Sequence, residues 1–281
     1  MIEPAKNNSV CHVLVVGAGG NIGSHLVPHL GRMIELNHVT LIDRDVYEEK
    51  NIHGQDIRRS DAGRRKALVQ KRRLMKINPD IRVDALTCAL EDVPLGKLKC
   101  DCILSCLDTR ISRQYISQAA WKLGVPLIDA GVQAQGMLVR VSVYLPGVEN
   151  PCLECLWNDS DYEALEQRYS CAEQTRAAST NAPSSLGALA ASIQAIELSK
   201  LLADSTRQNH ANRQIVMDAA HNRYYHTMLS RNPHCRFSPY TLINLEFLKA
   251  DMKRTSLKDL FISHGIDGNP FLRVEGNYFA L

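Results

Sequence analysis

The chain has 281 residues, 45% of them hydrophobic and 22% charged, which suits a globular α/β domain with additions. The net charge of +3, without a dense basic stripe interleaved with aromatics, argues against a nucleic-acid binder. No apolar h-region opens the chain, no apolar run approaches the ~20 residues of a membrane span, and the nine cysteines do not read as a secreted disulfide framework, so a cytoplasmic protein with no membrane contact is expected.

In chain order, residues 11–17 (CHVLVVG) read as a buried strand and residues 21–35 as a helix that starts straight after a cluster of glycines. HVTLID at 38–43 is a second strand, ending on Asp43. Residues 63–78 form a basic helix stopped by Asn78-Pro79. IRVDALTC and CDCILSCLD supply two more strands, the latter ending on Asp108, and residues 110–123 are helical. VPLIDAG and MLVRVSVYLP are further strands. Residues 151–180 look loop-rich, residues 184–204 form a long Ala-rich helix, and QIVMDAA and YYHTMLS are two strands joined by a polar turn. A tail after Pro239 carries two more apolar segments, TLINLEFLKAD and FLRVEGNYFAL. This alternation predicts a Rossmann-like, doubly wound, largely parallel sheet with a C-terminal antiparallel extension. The expected division is a main domain over 1–238, with its nucleotide-binding part at 11–150, and a small extension over 239–281.

Gly17, Gly19, Gly20 and Gly23 lie between a strand and a helix, where unpaired N–H groups and the helix dipole receive an anion. Asp43 stands where an acid holds a ribose hydroxyl. Asp45, Asn51, Gln55 and Lys66 follow, a polar cluster suited to a triphosphate rather than to nicotinamide. Asp108 is placed to hold Mg²⁺, or to cap the helix that follows it. The basic run Arg58, Arg59, Arg64, Arg65, Lys66, Lys71, Arg72, Arg73 is a solvated face or a site for phosphate or an acidic protein. Cys102 and Cys106 share one strand face and are expected to pack.

VVGAGGNIGS, LIDRDVYEEKNIHGQ, GRRKA, INPDIRV, LSCLDTR and SIQAIELSKLL together resemble the ThiF/MoeB/HesA superfamily, relatives of the ubiquitin-activating enzymes, over about residues 11–235. The resemblance implies ATP·Mg²⁺-dependent adenylation of a C-terminal glycine carboxylate, usually that of a small ubiquitin-like protein, by a homodimer that works with an acceptor or conjugating protein. By matching position, Asp43 would hold the ribose, Lys66 the phosphates and Asp108 the metal, with Asn51 and Gln55 lining the phosphate pocket. Cys171, in YSCAEQTR between Arg168 and Arg176, matches a cysteine that in some members takes up the acyl group as a thioester; a structural cysteine is the alternative.

The chain departs from the family in four places. Its nucleotide loop is one residue longer. Gly54 stands where a phosphate-contacting arginine is usual, and residues 1–10 hold only Lys6 where members commonly carry an arginine that crosses a dimer. Arg58 and Arg59 are the nearest substitutes. The resemblance also implies structural zinc on two C-x-x-C pairs. Cys152, Cys155 and Cys235 match, whereas Ser238 replaces the last cysteine, leaving His234 as a possible fourth ligand or the zinc lost. The rival readings are an inactive scaffold that binds a ubiquitin-like protein, adenylation of a tRNA-borne carboxylate, and an NAD(P) oxidoreductase.

Overall fold

The computed structural model describes residues 11–166, 182–203 and 211–237, and in the tail residues 256, 259, 271–274 and 277–280. Strand β1 (His12–Val16) is apolar on both sides. Val13 and Val15 enter one core cluster, and Leu14 and Val16 enter another, as expected of a strand covered on both faces. The chain then runs through α1 (Asn21–Leu30), β2 (His38–Ile42), α2 (Lys66–Ile77), β3 (Arg82–Leu86), β4 (Cys102–Ser105), α3 (Arg110–Leu123), β5 (Leu127–Gln133) and β6 (Leu138–Tyr144). After these come α4 (Asp159–Glu166), α5 (Ser184–Ala203), β7 (Arg213–Asp218) and β8 (Arg223–Met228), and in the tail the antiparallel hairpin β9 (Phe271–Val274) and β10 (Asn277–Ala280).

The main sheet has the order β3-β2-β1-β4-β5-β6-β7-β8. The strands from β3 to β5 pair in parallel, and β6, β7 and β8 join antiparallel. This is the predicted fold class. The order reverses between β1 and β4, so the helices that follow these two strands leave to opposite faces: the residues of α1 and α5 lie in one core cluster and those of α3 in the other. The crevice opened at the C-terminal ends of β1 and β4 is where doubly wound sheets bind ligands.

Four local expectations need correction. Helix α1 stops at Leu30 rather than at residue 35, because Gly31 closes it with its N–H on the Val27 carbonyl, 3.2 Å away. Helix α2 begins at Lys66, not at 63, because Gly63 turns the chain at φ +80°. The stretch after residue 151 contains α4. Its start is signalled by a reciprocal cap in which Asp161 N donates to Asn158 Oδ1 at 3.1 Å and Asn158 N donates to Asp161 Oδ2 at 3.0 Å. The fourth concerns α5, which by length and composition could cross a membrane, contrary to the expectation that no segment comes close.

In this fold α5 packs on α1, β5 and β6 and carries polar groups into the interior. Gln194 Nε2 donates to the carbonyls of Ser105 (3.1 Å) and Ile128 (2.9 Å). Buried Glu197 pairs with Arg213 and, at 2.8 Å, with Lys200. Cys102 and Cys106 are both buried in the same cluster, as their spacing suggested. The segment TLINLEFLKAD lies outside the described residues.

Candidate active site

A cleft of about 750 Å³ opens at the C-terminal ends of β1, β2 and β4. Of the residues singled out from the sequence, Gly17, Gly20, Asp43, Asp45, Asn51, Gln55, Lys66 and Asp108 line it. Gly17 sits at φ +76°, and a side chain there would also stand 2.8 Å from the Cys106 carbonyl, so the turn requires glycine. Gly19 and Gly23 do not face the cleft; they let the loop close. A Cβ at Gly19 would run into the Lys66 side chain at 2.4 Å, and one at Gly23 would meet the Gly17 carbonyl at 2.2 Å.

Gly20 differs from these. It has an ordinary extended backbone, and its Cβ would approach nothing closer than the Gly17 carbonyl at 3.4 Å. The fold therefore tolerates a side chain there, and what it keeps open is the cleft. Gly20 is the N-cap of α1, which has no side-chain cap and no acid in its first turn. The first N–H groups of the helix are left to an anion. A second unmatched group faces the same space: Gln55 Oε1 is buried without a hydrogen-bond partner. These features fit a nucleotide phosphate.

The charged residues around this turn hold one another. Buried Asp43 accepts from Gly19 N at 2.8 Å and from Asp45 N at 3.0 Å. Burial pushes its carboxyl upward, and the nearby Lys66 ammonium and the two N–H donors pull against that. The Lys66 Nζ lies 3.5 Å from Asp45 Oδ2 and 5.5 Å from the centre of the Tyr47 ring. Tyr47 is itself pinned by a 2.7 Å hydrogen bond from Gln70 Nε2 to its hydroxyl. Asn51 Oδ1 accepts from Glu48 N at 2.8 Å, which shapes the 3-10 turn Glu49–His53.

Asp108 is exposed at the cleft wall. The alternative of a helix cap is not its role, because Thr109 caps α3 by accepting from Ser112 N at 3.3 Å. An uncommitted carboxylate beside an anion site is the donor that Mg²⁺ needs, since Mg²⁺ binds through one or two carboxylates plus phosphate oxygens and water.

Arg58 and Arg59, expected as substitutes for a phosphate-contacting arginine, do not line the cleft. Both are exposed at the turn Arg59–Asp61, where Arg58 N donates to Asp61 Oδ2 at 3.0 Å. That turn closes before α2 returns to the cleft at Lys66. Cys171 lies outside the described residues, as do its flanking arginines and Ser238.

The second candidate centre is the thiol cluster. Cys152 Sγ is 3.7 Å from Cys155 Sγ and 3.6 Å from Cys235 Sγ, beneath Trp121 and Phe237. Tetrahedral Zn²⁺ with Zn–S bonds of about 2.3 Å sets its sulfurs about 3.8 Å apart, whereas a disulfide needs about 2.05 Å. The spacing fits zinc. Among the three thiols the hydrogen bond with Cys155 pushes Cys152 upward and burial pushes Cys235 upward, while the hydrogen bond to Cys152 and neighbouring backbone N–H groups draw Cys155 downward. His234 does not join these ligands. The turn in which Cys235 N donates to the Asn232 carbonyl (3.0 Å) sends Cys235 inward and leaves His234 exposed.

The family model described as "ThiF family" matches residues 5–237. This chain belongs to the ThiF family. The sulfur carrier protein ThiS adenylyltransferase of Escherichia coli K12 is 32% identical over 151 residues, which is 53% of this chain and 59% of that protein. The adenylyltransferase and sulfurtransferase UBA4 of Eremothecium gossypii is 31% identical over 149 residues, 52% of this chain and 32% of that protein. The chain thus spans about three fifths of the first relative and a third of the second. Among solved structures, E. coli MccB with ATP superposes with a TM-score of 0.64 at 21% identity, over 80% of this chain and 65% of that one, a likeness of fold.

Three residues of this ThiF-family site escaped the sequence reading. Arg113 faces the cleft while donating to the Leu107 carbonyl (2.8 Å) and the Ala130 carbonyl (3.0 Å), and it pairs with Asp129 at 3.3 Å. Asp129 is buried, accepts from Ser105 Oγ at 2.8 Å and also reaches Arg140 at 3.4 Å. Together they brace Ser105 at the end of β4 and Leu107, the residue before Asp108. Asn21 ties the nucleotide turn to two distant loops, donating from Nδ2 to the carbonyls of Gly54 and, at 3.1 Å, Ala182. An acid inside the apolar run VPLIDAG was the available signal for Asp129; Asn21 had none.

Proposed function

We propose that this chain activates a carboxylate by ATP-dependent adenylation, and that the carboxylate is the C-terminal glycine of a ubiquitin-like or sulfur-carrier protein or of a short peptide. The observation that carries this reading is the single cleft that gathers the uncapped Gly20 turn, Asp43, Lys66 and Asp108. Asp43 receives the ribose hydroxyls, and the first N–H groups of α1 receive phosphate oxygens. Asp108 would hold the Mg²⁺ whose charge would offset that of the triphosphate. A carboxylate oxygen attacks the α-phosphorus, the bond to pyrophosphate breaks, and Lys66 stabilises the charge on the departing group. The names of the two sequence relatives, an adenylyltransferase of ThiS and an adenylyltransferase-sulfurtransferase, support the same chemistry.

The reading extends to a homodimer in the cytoplasm, a zinc ion on Cys152, Cys155 and Cys235, and a thioester step. In that step the Cys171 thiolate attacks the acyl-adenylate carbonyl and AMP leaves, before transfer to an acceptor protein. Pyrophosphate exchange in the presence of ubiquitin-like tails tests the first step. Tight NAD binding with no calorimetric response to MgATP would overturn it. For the second step, Cys171→Ala keeps exchange and loses an adduct that reductant removes; an adduct unchanged in that variant would move the nucleophile elsewhere.

A further inference from the structure

Four cations face the cleft among the described residues: Arg44, Lys50, Lys66 and Arg113. Two of them are already fixed. Arg113 is braced by the Leu107 and Ala130 carbonyls and by Asp129. Lys66 is buried against Asp45 and Tyr47. Arg44 is 71% exposed and stands 4.0 Å from Asp45, so it too is loosely held, but beside the acids of the ribose end. Lys50 lies on the 3-10 turn Glu49–His53, directly before Asn51, and its side chain is 65% exposed. Its ion pair is with Glu48, at 2.7 Å and half exposed.

Position 54 is crowded by contrast. A Cβ on Gly54 would stand 3.1 Å from the Ala182 carbonyl and 3.4 Å from Asn21 Nδ2, and the Gly54 carbonyl is already held by Asn21. A side chain at residue 54 would be crowded, whereas Lys50 already faces the cleft.

We propose that Lys50 is the mobile cation of this site, leaving Glu48 to bind the β- and γ-phosphates of the nucleoside triphosphate. The proposal rests on the adenylation reading and assigns one more residue to it. An exposed ion pair is weak and easily exchanged, and a triphosphate offers several anionic oxygens where Glu48 offers one carboxylate. Lysine suits this role because it presents a compact charge on a flexible stem, and its hydrogen bonds to phosphate are charge-assisted. Lys66, itself buried against Tyr47, is a fixed cation; Lys50 is free to follow the phosphates as pyrophosphate departs.

Titration calorimetry of the full chain with MgATP and, separately, with AMP tests the assignment, because AMP lacks the phosphates that Lys50 would touch. Lys50→Met is expected to weaken MgATP binding roughly ten- to hundred-fold and to leave AMP affinity within about twofold. Lys50→Arg is expected to keep most of the MgATP affinity. Wild-type MgATP affinity in Lys50→Met overturns the proposal, and so does an equal loss of MgATP and AMP. A wild type that binds neither nucleotide overturns the adenylation reading and this assignment with it.

Discussion

The nucleotide cleft and the thiol cluster hold their reactive groups in opposite ways. In the cleft, Asp43 is satisfied by Gly19 and Asp45, Lys66 by Asp45 and the Tyr47 ring, and Asp108 stands in the open. Those groups have protein partners or solvent before any ligand arrives. In the thiol cluster, Cys152, Cys155 and Cys235 converge on one another within the packing of Trp121 and Phe237. A metal there joins segments far apart in the chain. Substitutions in the first region should therefore register in chemistry, and substitutions in the second in stability.

The sharpest test of this contrast is the metal. Protein purified without chelator should carry about one zinc per chain, and Cys152→Ser should lose it together with more than about 4 kcal/mol of stability, the range in which loss of a metal is found. Denaturant titration with and without chelator measures this. Zinc-free protein of full stability would break the contrast.

Next comes Asp108→Ala. It should lower pyrophosphate exchange by about 10²–10³-fold, the scale for removing one preorganised electrostatic group, with the unfolding midpoint unchanged because Asp108 is exposed. A large fall in the midpoint would make Asp108 structural.

A third pair of variants separates the two behaviours inside one loop. Gly23→Ala, whose Cβ would meet the Gly17 carbonyl at 2.2 Å, should cost about 1–3 kcal/mol of stability. Gly20→Ala should keep the fold and weaken nucleotide binding, because its Cβ enters the space left for phosphate. Equal stability losses in the two would deny Gly20 that role.

The smallest effect lies at the other end of β1. Burial and the stacked ring of His38, 3.8 Å away, lower the His12 pKa to about 4. Its unfolded value is about 6.5, so the unfolded chain binds the proton first as pH falls. The contribution of neutral His12 is whole above about pH 6.5 and fades toward about pH 4. His12→Gln should flatten stability across that window and leave nucleotide affinity at neutral pH untouched. A change in affinity would tie this edge of the sheet to the cleft.

Much of the cleft was legible because its signals are local. The glycines sit in one strand–turn–helix, Asp43 follows directly on β2, Asp108 comes three residues after β4, and Lys66 opens a helix, so chain order alone brings them to one edge of the sheet. The extent of α1 was misread because Gly31, inside the window, ends the helix. Helix α4 was missed although Asn158 and Asp161 spell a cap. Arg58 and Arg59 were near the site in sequence and away from it in space.

The alternation of apolar runs and the turn chemistry by themselves determined the doubly wound sheet and the edge at which its cleft opens, since both depend on spacings of a few residues. Only the tertiary structure decided which cations reach the cleft, that a side chain at Gly54 would crowd the Ala182 carbonyl, that His234 is exposed and does not join the thiols, and that α5 packs on α1, β5 and β6. Those outcomes hang on distances between segments remote in the chain: Cys235 meets Cys152 across 83 residues, and Gln194 reaches Ser105 across 89. No local pattern encodes such a meeting, because it is settled by how the helices on the two faces of the sheet pack.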